Sequence, residues 1–459
     1  MKKKVFLLSI IGMALVLNSC NSDNIELEKV LSPDTAEIAG NPFALSREEA
    51  VLKAADFVSL SSTMVELRSA LEEKQVLEVK VNSINVAIAD PSQPESDRTE
   101  QAVPVYTVNY KDPSGLPAGC VVIAGDERLS DVDKIIAFSN DGESFDLSAR
   151  NDADFLQDRI AGYLYYKINY PSEAFLENPA STVELRTGID PGNLVSTNSL
   201  IEITTKWDEW CLSCPPSKYS PPFSGSITRM LCPGLAIIMG QIMAYHKWPQ
   251  HGTFPRYTTP ANTVNTTVSY ILSQSDYDNM NTPGLSDNET VKEYIGNLVA
   301  ETGYRLNAYY GTDYHSNALA TDAPAVFQKM GFNSTSIYSY RSDSLLSNLN
   351  RNLPVFMCGS YSSEYSDVMT PYIITGHAQG YIYGTTTLTT FLLTKRGNDE
   401  GFWFQESIFA DPASVVGMYT PGRDFENKWY CKMITSITKN DSNTGNSNPL
   451  DRVWNGNSY

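Results

Sequence analysis

One stretch of the chain is apolar on nearly every face that a helix would present. It begins at Cys232-Pro233-Gly234, continues through Leu235–Tyr245 and ends at His246-Lys247-Trp248-Pro249. A helix at the surface keeps a polar side, so this segment is predicted to be the central helix of its domain, packed on all sides. Its first turn is also a candidate for chemistry, because the positive end of a helix dipole lowers the pKa of a thiol and stabilises an oxyanion.

Composition limits the classes of protein to which this chain can belong. Its 459 residues are 42% hydrophobic and 19% charged, which excludes a disordered chain and allows two or three domains. Lysine and arginine number 34 against 53 acidic residues, which gives a net charge of −19. A protein that follows a phosphate backbone needs a basic surface, so we expect no nucleic-acid partner.

The first 20 residues have the pattern of an export signal. Lys2–Lys4 precede the apolar run Val5–Leu17, which is shorter than the roughly 20 residues of a membrane span, and Cys20 follows shortly after. The segment 1–20 resembles a bacterial lipoprotein signal, and this implies that Cys20 is lipidated after cleavage. We therefore expect a lipid-anchored protein of the bacterial cell envelope, periplasmic or at the cell surface, with the membrane as a partner. The alternative is an ordinary secretory signal that contains an unrelated cysteine.

Hydrophobic periodicity divides the rest of the chain into two α+β units. The first covers about 40–170 and the second 201–437; a linker rich in Asn, Pro, Ser, Thr and Gly lies between them at 171–200, and a polar tail follows at 438–459. In the first unit we expect helices at 46–59 and 154–168 and strands at 76–88, 103–110, 119–126 and 135–139. In the second we expect helices near 235–245, 291–303 and 323–330 and strands at 355–360, 377–383, 386–394 and 402–404.

A distant histidine completes a chemical pattern with the first turn of the central helix. The chain has four histidines, and His377 lies in Gly376-His377-Ala378, which is predicted to open a strand. A cysteine at a helix N-terminus and a histidine on a distant strand are how a thiol peptidase is built. His377 and Cys232 are therefore the candidate catalytic residues by position.

Three segments resemble the streptopain family of bacterial cysteine peptidases, papain-like enzymes made as zymogens. Gln241–Pro249 is similar to the stretch that follows the family's nucleophile, and Gly376-His377-Ala378 is similar to the site of its catalytic histidine. The stretches 119–126 and 136–142 are similar to its inhibitory prodomain. The resemblance implies a prodomain-like α+β unit followed by a papain-like α+β domain. It further implies a polypeptide ligand in a cleft, the chain's own N-terminal domain as a second partner, and no cofactor or metal.

The chain departs from the family at the nucleophile itself. The family's cysteine lies seven residues before the glutamine that matches Gln241, and in this chain that position is Gly234. Cys232 lies two residues too early, and using it would rotate the rest of the buried helix by about 200°. Glu209 occupies the position of the family's oxyanion donor, where a carboxylate would repel the developing charge. The family's Asn-Trp segment after the histidine has no counterpart between Phe391 and Gly401.

These departures lead to three hypotheses about function. The first is a lipid-anchored homologue of streptopain-type peptidases that is inactive or severely impaired but retains a peptide-binding cleft around Gly234 and His377. The second is an active secreted zymogen endopeptidase that uses Cys232 and His377. The third is a surface binding module built on the same scaffold.

The remaining cysteines and histidines have structural interpretations. Cys211 and Cys214 resemble a thioredoxin-type redox pair, but the prolines that follow disfavour the required helix, and a structural disulfide is favoured instead. A zinc site that joins them to Cys232 and His246 would have to reach across a whole helix. His246 is expected to cap the central helix. The other expectations are loop positions for His251 and His315 and core thiols at Cys120 and Cys358.

Overall fold

The chain folds into helices packed on one large antiparallel sheet. This is seen in a computed structural model that describes residues 41–60, 75–88, 99–139, 145–147, 153–169, 199–205, 207, 219–220, 230–257, 264–285, 288–310, 318–359, 370–381, 388–396, 401–409 and 431–440. The predicted α+β class is confirmed.

The helices and strands are numbered in chain order. The helices are α1 Arg47–Leu60, α2 Ala153–Asn169, α3 Gly234–Tyr245, α4 Gln274–Asn281, α5 Glu289–Arg305, α6 Ala323–Lys329 and α7 Ser342–Leu349. The strands are β1 Gln75–Ile88, β2 Thr99–Lys111, β3 Pro117–Ala124, β4 Ile135–Ser139, β5 Ser199–Leu200, β6 His251–Tyr257, β7 Val264–Ile271, β8 Phe332–Asn333, β9 Tyr338–Ser339, β10 Val355–Gly359, β11 Thr370–Tyr381, β12 Leu388–Lys395, β13 Phe402–Gln405, β14 Cys431–Ile434 and β15 Thr438–Lys439.

The first helix begins at a capping box that the sequence predicts. The backbone N–H of Ser46 donates to Glu49 Oε2 at 2.8 Å, and the backbone N–H of Glu49 donates to Ser46 Oγ at 3.2 Å. Two backbone donors at the helix start are thereby satisfied without any tertiary contact. The helix runs over Arg47–Leu60, within one residue of the expected 46–59.

The large sheet is continuous across the expected boundary between the two units. Its eleven strands follow the order β1-β2-β3-β4-β13-β12-β11-β10-β14-β9, and β5 pairs with β11 from outside this path. The junction is the antiparallel pair β4–β13, in which Phe138 lies opposite Trp403 and Ala137 lies opposite Phe404. Strands before the expected linker at 171–200 therefore form one sheet with strands after it.

The two faces of the sheet belong to two hydrophobic clusters. Paired residues of neighbouring strands point to the same face. Leu392 and Phe404 pack into the cluster that contains the central helix α3, whereas Ala378 and Phe391 pack into the cluster that contains α1. The alternation along β11 thus places His377, which pairs with Leu392, on the α3 face.

The central helix is buried as its sequence predicts. Every residue of α3 from Leu235 to Ala244 is buried, and the helix contacts β11 on one side and α5 on another. It ends at His246, because Lys247 adopts a left-handed φ of 52° and Pro249 cannot donate the next helical hydrogen bond.

The hairpin formed by β6 and β7 is attached to α5 through one buried carboxylate. Glu301 accepts hydrogen bonds from Tyr270 Oη at 2.7 Å, from the backbone N–H of Thr253 at 3.2 Å and from Arg305 Nε at 2.7 Å. Burial raises the pKa of Glu301, and the Arg305 guanidinium opposes that rise. His251 is the first residue of β6, so the prediction that it lies in a loop is wrong.

Candidate active site

The first turn of α3 places a glycine where the resemblance predicts a nucleophile. Gly234 is the first residue of the helix, and Pro233 precedes it as the N-cap. The carbonyl of Pro233 accepts from the backbone N–H groups of Ala236 at 2.9 Å and Ile237 at 3.3 Å. No side chain caps this turn with a hydrogen bond, and the turn contains no acidic residue, so the positive end of the helix dipole is not neutralised by a local carboxylate.

Cys232 precedes the helix as part of the core. Its exposed fraction is 3%, and Met230 and Leu231 before it are each 4% exposed. A thiol attacks a carbonyl only if substrate can reach the sulfur, and Pro233 separates this one from the dipole of the first turn. The structure therefore places Cys232 beside the expected nucleophile position but withdraws it from the surface.

His377 lies in the middle of β11. It pairs with Leu392 of β12 on one side and with Ser199 of β5 on the other. The prediction that His377 opens its strand is wrong, because β11 already begins at Thr370. The stretch 370–375 reads as loop from its threonines and prolines, but its backbone is paired with β10 over Thr370–Ile374.

The imidazole of His377 is almost completely removed from water. Its exposed fraction is 1%, and its Nδ1 atom is buried with no hydrogen-bond partner among the described residues. Desolvation lowers the pKa of His377, since burial disfavours the charged imidazolium. At neutral pH this side chain is accordingly uncharged.

The helix with Gly234 and the strand with His377 are in contact. This is the arrangement that a thiol peptidase needs, with the nucleophile at a helix N-terminus and the histidine on an adjacent strand. The scaffold of such a site is present, whereas its two chemical groups are altered. The nucleophile position has no side chain, and the histidine is held neutral.

The segment expected to supply the oxyanion donor is attached to α3 just before Glu209. Trp207 is fully buried, and a Cβ added at Gly240 would lie 3.0 Å from Trp207 Cζ3. Gln241 Nε2 donates to the Thr205 carbonyl at 2.9 Å. Glu209 itself lies outside the described residues, as do Cys20, Cys211, Cys214 and His315.

The other named side chains have structural roles. His246 is the C-cap of α3, as predicted, and desolvation together with Lys439 lowers the pKa of His246 to about 4. It therefore caps the helix by its backbone and not as a cation. Cys120 and Cys358 are buried in β3 and β10 as expected, and burial raises the pKa of the Cys358 thiol.

Metal and membrane features were sought in the part of the chain that the structure describes. Within those ranges no group of three or more His, Cys, Asp or Glu side chains is placed to hold a metal ion. No helix among the described residues combines the length and the apolar character that a membrane span requires.

Strand β5 is the element near the site that sequence reasoning missed. Ser199–Leu200 pairs with His377 and Gly376, and the backbone N–H of Ile201 donates to the Thr375 carbonyl at 2.7 Å. A signal was present in the alternation that follows, because Ile201 and Ile203 are buried and Glu202 between them is exposed. The polar composition of the preceding linker obscured it.

Comparisons with known proteins agree with the resemblance. Residues 210–403 match the model of the Peptidase C10 family. A structure of a prointerpain A fragment from Prevotella intermedia is 14% identical, with a TM-score of 0.47, covering 78% of this chain and 99% of that one. A structure of active wild-type interpain A cysteine protease from the same organism is 16% identical, with a TM-score of 0.33, covering 54% and 97%. No curated protein matches. Residues 210–403 thus carry the domain of the Peptidase C10 family, the streptopain family of cysteine peptidases.

Proposed function

We propose that this chain is a streptopain-type homologue whose cleft binds polypeptide without hydrolysing it. The observation that carries the proposal is Gly234 at the first position of α3, with the nearest preceding thiol, that of Cys232, buried before the N-cap proline. A papain-type mechanism requires a thiolate at that turn. Glycine offers no nucleophile there.

The state of His377 supports the same conclusion. In a working enzyme the histidine shares a proton with the thiol and is charged while the thiolate waits for substrate. Burial lowers the pKa of His377, which opposes that charged form. Losing one member of a nucleophilic unit costs several orders of magnitude in rate, so partial activity is not expected.

The competing hypothesis is an active peptidase that uses Cys232. It would need the buried sulfur to emerge from beside Met230 and Leu231 and to pass Pro233 to reach substrate. Because the helix start is fixed at Gly234, no shift of α3 can bring Cys232 into its first turn without moving a fully buried helix.

The proposal includes the chain's location and its first unit. Cys20 would carry the lipid, so that the protein is held at the bacterial cell envelope, and the N-terminal unit corresponds to the family's inhibitory prodomain. Retention of that unit together with a cleft that lacks a nucleophile is consistent with a protein that binds peptide and does not mature into a peptidase.

The test is covalent labelling by an epoxide inhibitor of cysteine peptidases, together with hydrolysis of a peptide library. The chain without its first 20 residues is compared with its Gly234→Cys, Cys232→Ala and His377→Ala variants. We expect no labelling of the unmodified chain and none of Cys232→Ala, but labelling of Gly234→Cys, because that substitution places a thiol at the helix N-terminus.

The Gly234→Cys variant also serves as the control for access to the cleft. If it is labelled and the unmodified chain is not, the missing thiol is the cause of the inactivity. Labelling of the unmodified chain at Cys232, with hydrolysis that His377→Ala abolishes, would instead establish the active peptidase.

A further inference from the structure

We propose that the N-terminal unit, defined here as the described residues from 41 to 169, is a permanent part of the fold and stays bound after the chain is cut within 171–198. This goes beyond the proposed function, because it concerns what holds the two halves together and not what the cleft does to peptide. Three independent sets of contacts carry it.

The first set is the sheet itself. β4 and β13 pair antiparallel, with Phe138 opposite Trp403 and Ala137 opposite Phe404. Without the N-terminal unit, β13 would become an edge strand and its backbone donors and acceptors would lose their partners. An unpaired edge of a large sheet is a site of aggregation that native proteins cover.

The second set is an aromatic cluster built from both halves on the α1 face. Phe57 of α1 and Phe138 of β4 come from the N-terminal unit, and Phe391 of β12 and Trp403 of β13 come from the second half. Ring centroids are 5.4 Å apart for Phe57–Phe138, 5.2 Å for Phe138–Phe391 and 6.1 Å for Phe57–Phe391. Phe138 and Trp403 stack at 5.9 Å with an interplanar angle of 10°. Phe391 is buried by residues of the other half, so separation would expose a large apolar surface.

The third set lies on the opposite face and is polar. Tyr163 Oη of α2 donates to Gln405 Oε1 at 2.9 Å, and Arg159 Nε of α2 donates to the Ile408 carbonyl at 2.8 Å. Both hydrogen bonds are buried. Around them Phe145 packs edge-on against Phe402 at 5.0 Å. Buried polar groups of this kind are satisfied only while the two halves are together.

The shared clusters also reach the strand of the candidate site. Ala378, the residue after His377, packs in the same cluster as Phe57 and Phe138. The N-terminal unit therefore covers the back of β11 while α3 covers its front. In this arrangement the unit supports the strand that carries His377, in addition to any role it has at the cleft.

The experiment uses the chain without its first 20 residues, with the recognition sequence of a site-specific protease replacing residues within 171–198. After complete cleavage, the two fragments are analysed by size-exclusion chromatography over a dilution series down to about 10 nM. We expect co-elution at the size of the uncut protein at every concentration. Separation of the wild-type fragments would overturn the proposal.

Two tryptophan variants test whether the shared contacts are the cause. Trp403→Ala removes a ring from the aromatic cluster, whereas Trp248→Ala removes a ring that packs at the end of α3 near Lys439, away from the N-terminal unit. We expect Trp403→Ala to raise the dissociation constant of the cleaved fragments at least tenfold and Trp248→Ala to leave it within threefold. Equal weakening by both variants would contradict the assignment.

Should a variant fail to fold, the cleaved wild-type protein still gives an answer. Its thermal unfolding should be a single transition whose midpoint rises with protein concentration, as for any complex in which folding and association are coupled. Two separate transitions would show that the halves fold independently, and would overturn the proposal.

Discussion

At the residue scale, His246 combines deep burial with a nearby positive charge. Its ring packs edge-on against Phe332 at 5.8 Å, and its Nε2 atom is buried with no hydrogen-bond partner among the described residues. Desolvation, with a smaller contribution from Lys439, lowers the pKa of His246 to about 4. The folded protein therefore holds this histidine neutral well below the pH at which the unfolded chain protonates it.

We expect His246→Phe to make the protein less sensitive to acid. The unfolded chain takes up a proton at this site near pH 6.5, and the folded chain only near pH 4. The contribution of neutral His246 is therefore fully present above about pH 6.5 and falls as the pH drops toward 4, by about 3 kcal/mol in all. Phenylalanine keeps the aromatic packing but cannot be protonated.

Urea unfolding at pH 7.5 and pH 4.5 measures this difference. The wild type should lose about 2 to 3 kcal/mol more than His246→Phe over that interval, and the matched variant His251→Phe at the start of β6 should follow the wild type. Equal losses for wild type and His246→Phe would refute the prediction.

Residue identities were predictable where a motif specified them. Gly234, Cys232 and His377 were identified from spacing and resemblance, and the structure places the elements that carry them in contact. The burial of His377 was not predictable, because β5 and β12 pair with β11 on either side of it and neither pairing has a local signal.

At the scale of elements, α3 depends on a glycine in its middle. A Cβ at Gly240 would lie 3.0 Å from Trp207 Cζ3 and 3.2 Å from Val299 Cγ2. Those distances leave room for at most one methyl group, and only if both neighbours shift slightly. The close approach holds Trp207, and the segment after it, against the helix.

We expect Gly240→Val to destabilise the protein by about 1–3 kcal/mol, because its two γ-methyl groups must displace Trp207 or Val299. Gly240→Ala is the graded control, and should change the stability by less than about 1 kcal/mol, since the gain in helix propensity offsets a tight contact. Urea unfolding followed by tryptophan fluorescence measures both. A Gly240→Val protein as stable as wild type would show that the contact is not restrictive.

Elements with strong periodicity were predicted within a few residues of their observed bounds. The helix expected at 291–303 spans Glu289–Arg305, and the strand expected at 76–88 spans Gln75–Ile88. The hairpin β6–β7 and strand β14 were missed. β7 is rich in threonine and partly exposed, and β14 has only four residues, so their stability comes from tertiary partners and not from local pattern.

At the scale of the whole molecule, the proposed anchor makes its own prediction. Cys20→Ser should move the protein from the membrane fraction to the soluble fraction of the producing bacterium, because acyl chains provide the membrane affinity. Fractionation followed by immunoblotting measures this, with Ser22→Ala as the control that keeps the cysteine. Membrane association that persists in Cys20→Ser would disprove lipidation at this residue.

The order of strands in the large sheet was beyond sequence reasoning. Periodicity predicted both β4 and β13, but nothing local indicates that a strand at Ile135–Ser139 pairs with one at Phe402–Gln405. Pairing between distant strands depends on complementary faces, here Phe138 against Trp403, which become apparent only in three dimensions.

The junction between β4 and β13 also affects how the protein is made. Tyr163 and Gln405 are 242 residues apart, and Arg159 and Ile408 are 249 residues apart. At about 5–20 residues per second, a ribosome needs roughly 12 to 50 seconds to supply the partner of β4 after β4 has emerged. During that interval the strand Ile135–Ser139, which is buried at every position in the finished protein, has an open edge. Biosynthesis and export of this chain therefore favour a factor that shields that edge until translation is complete.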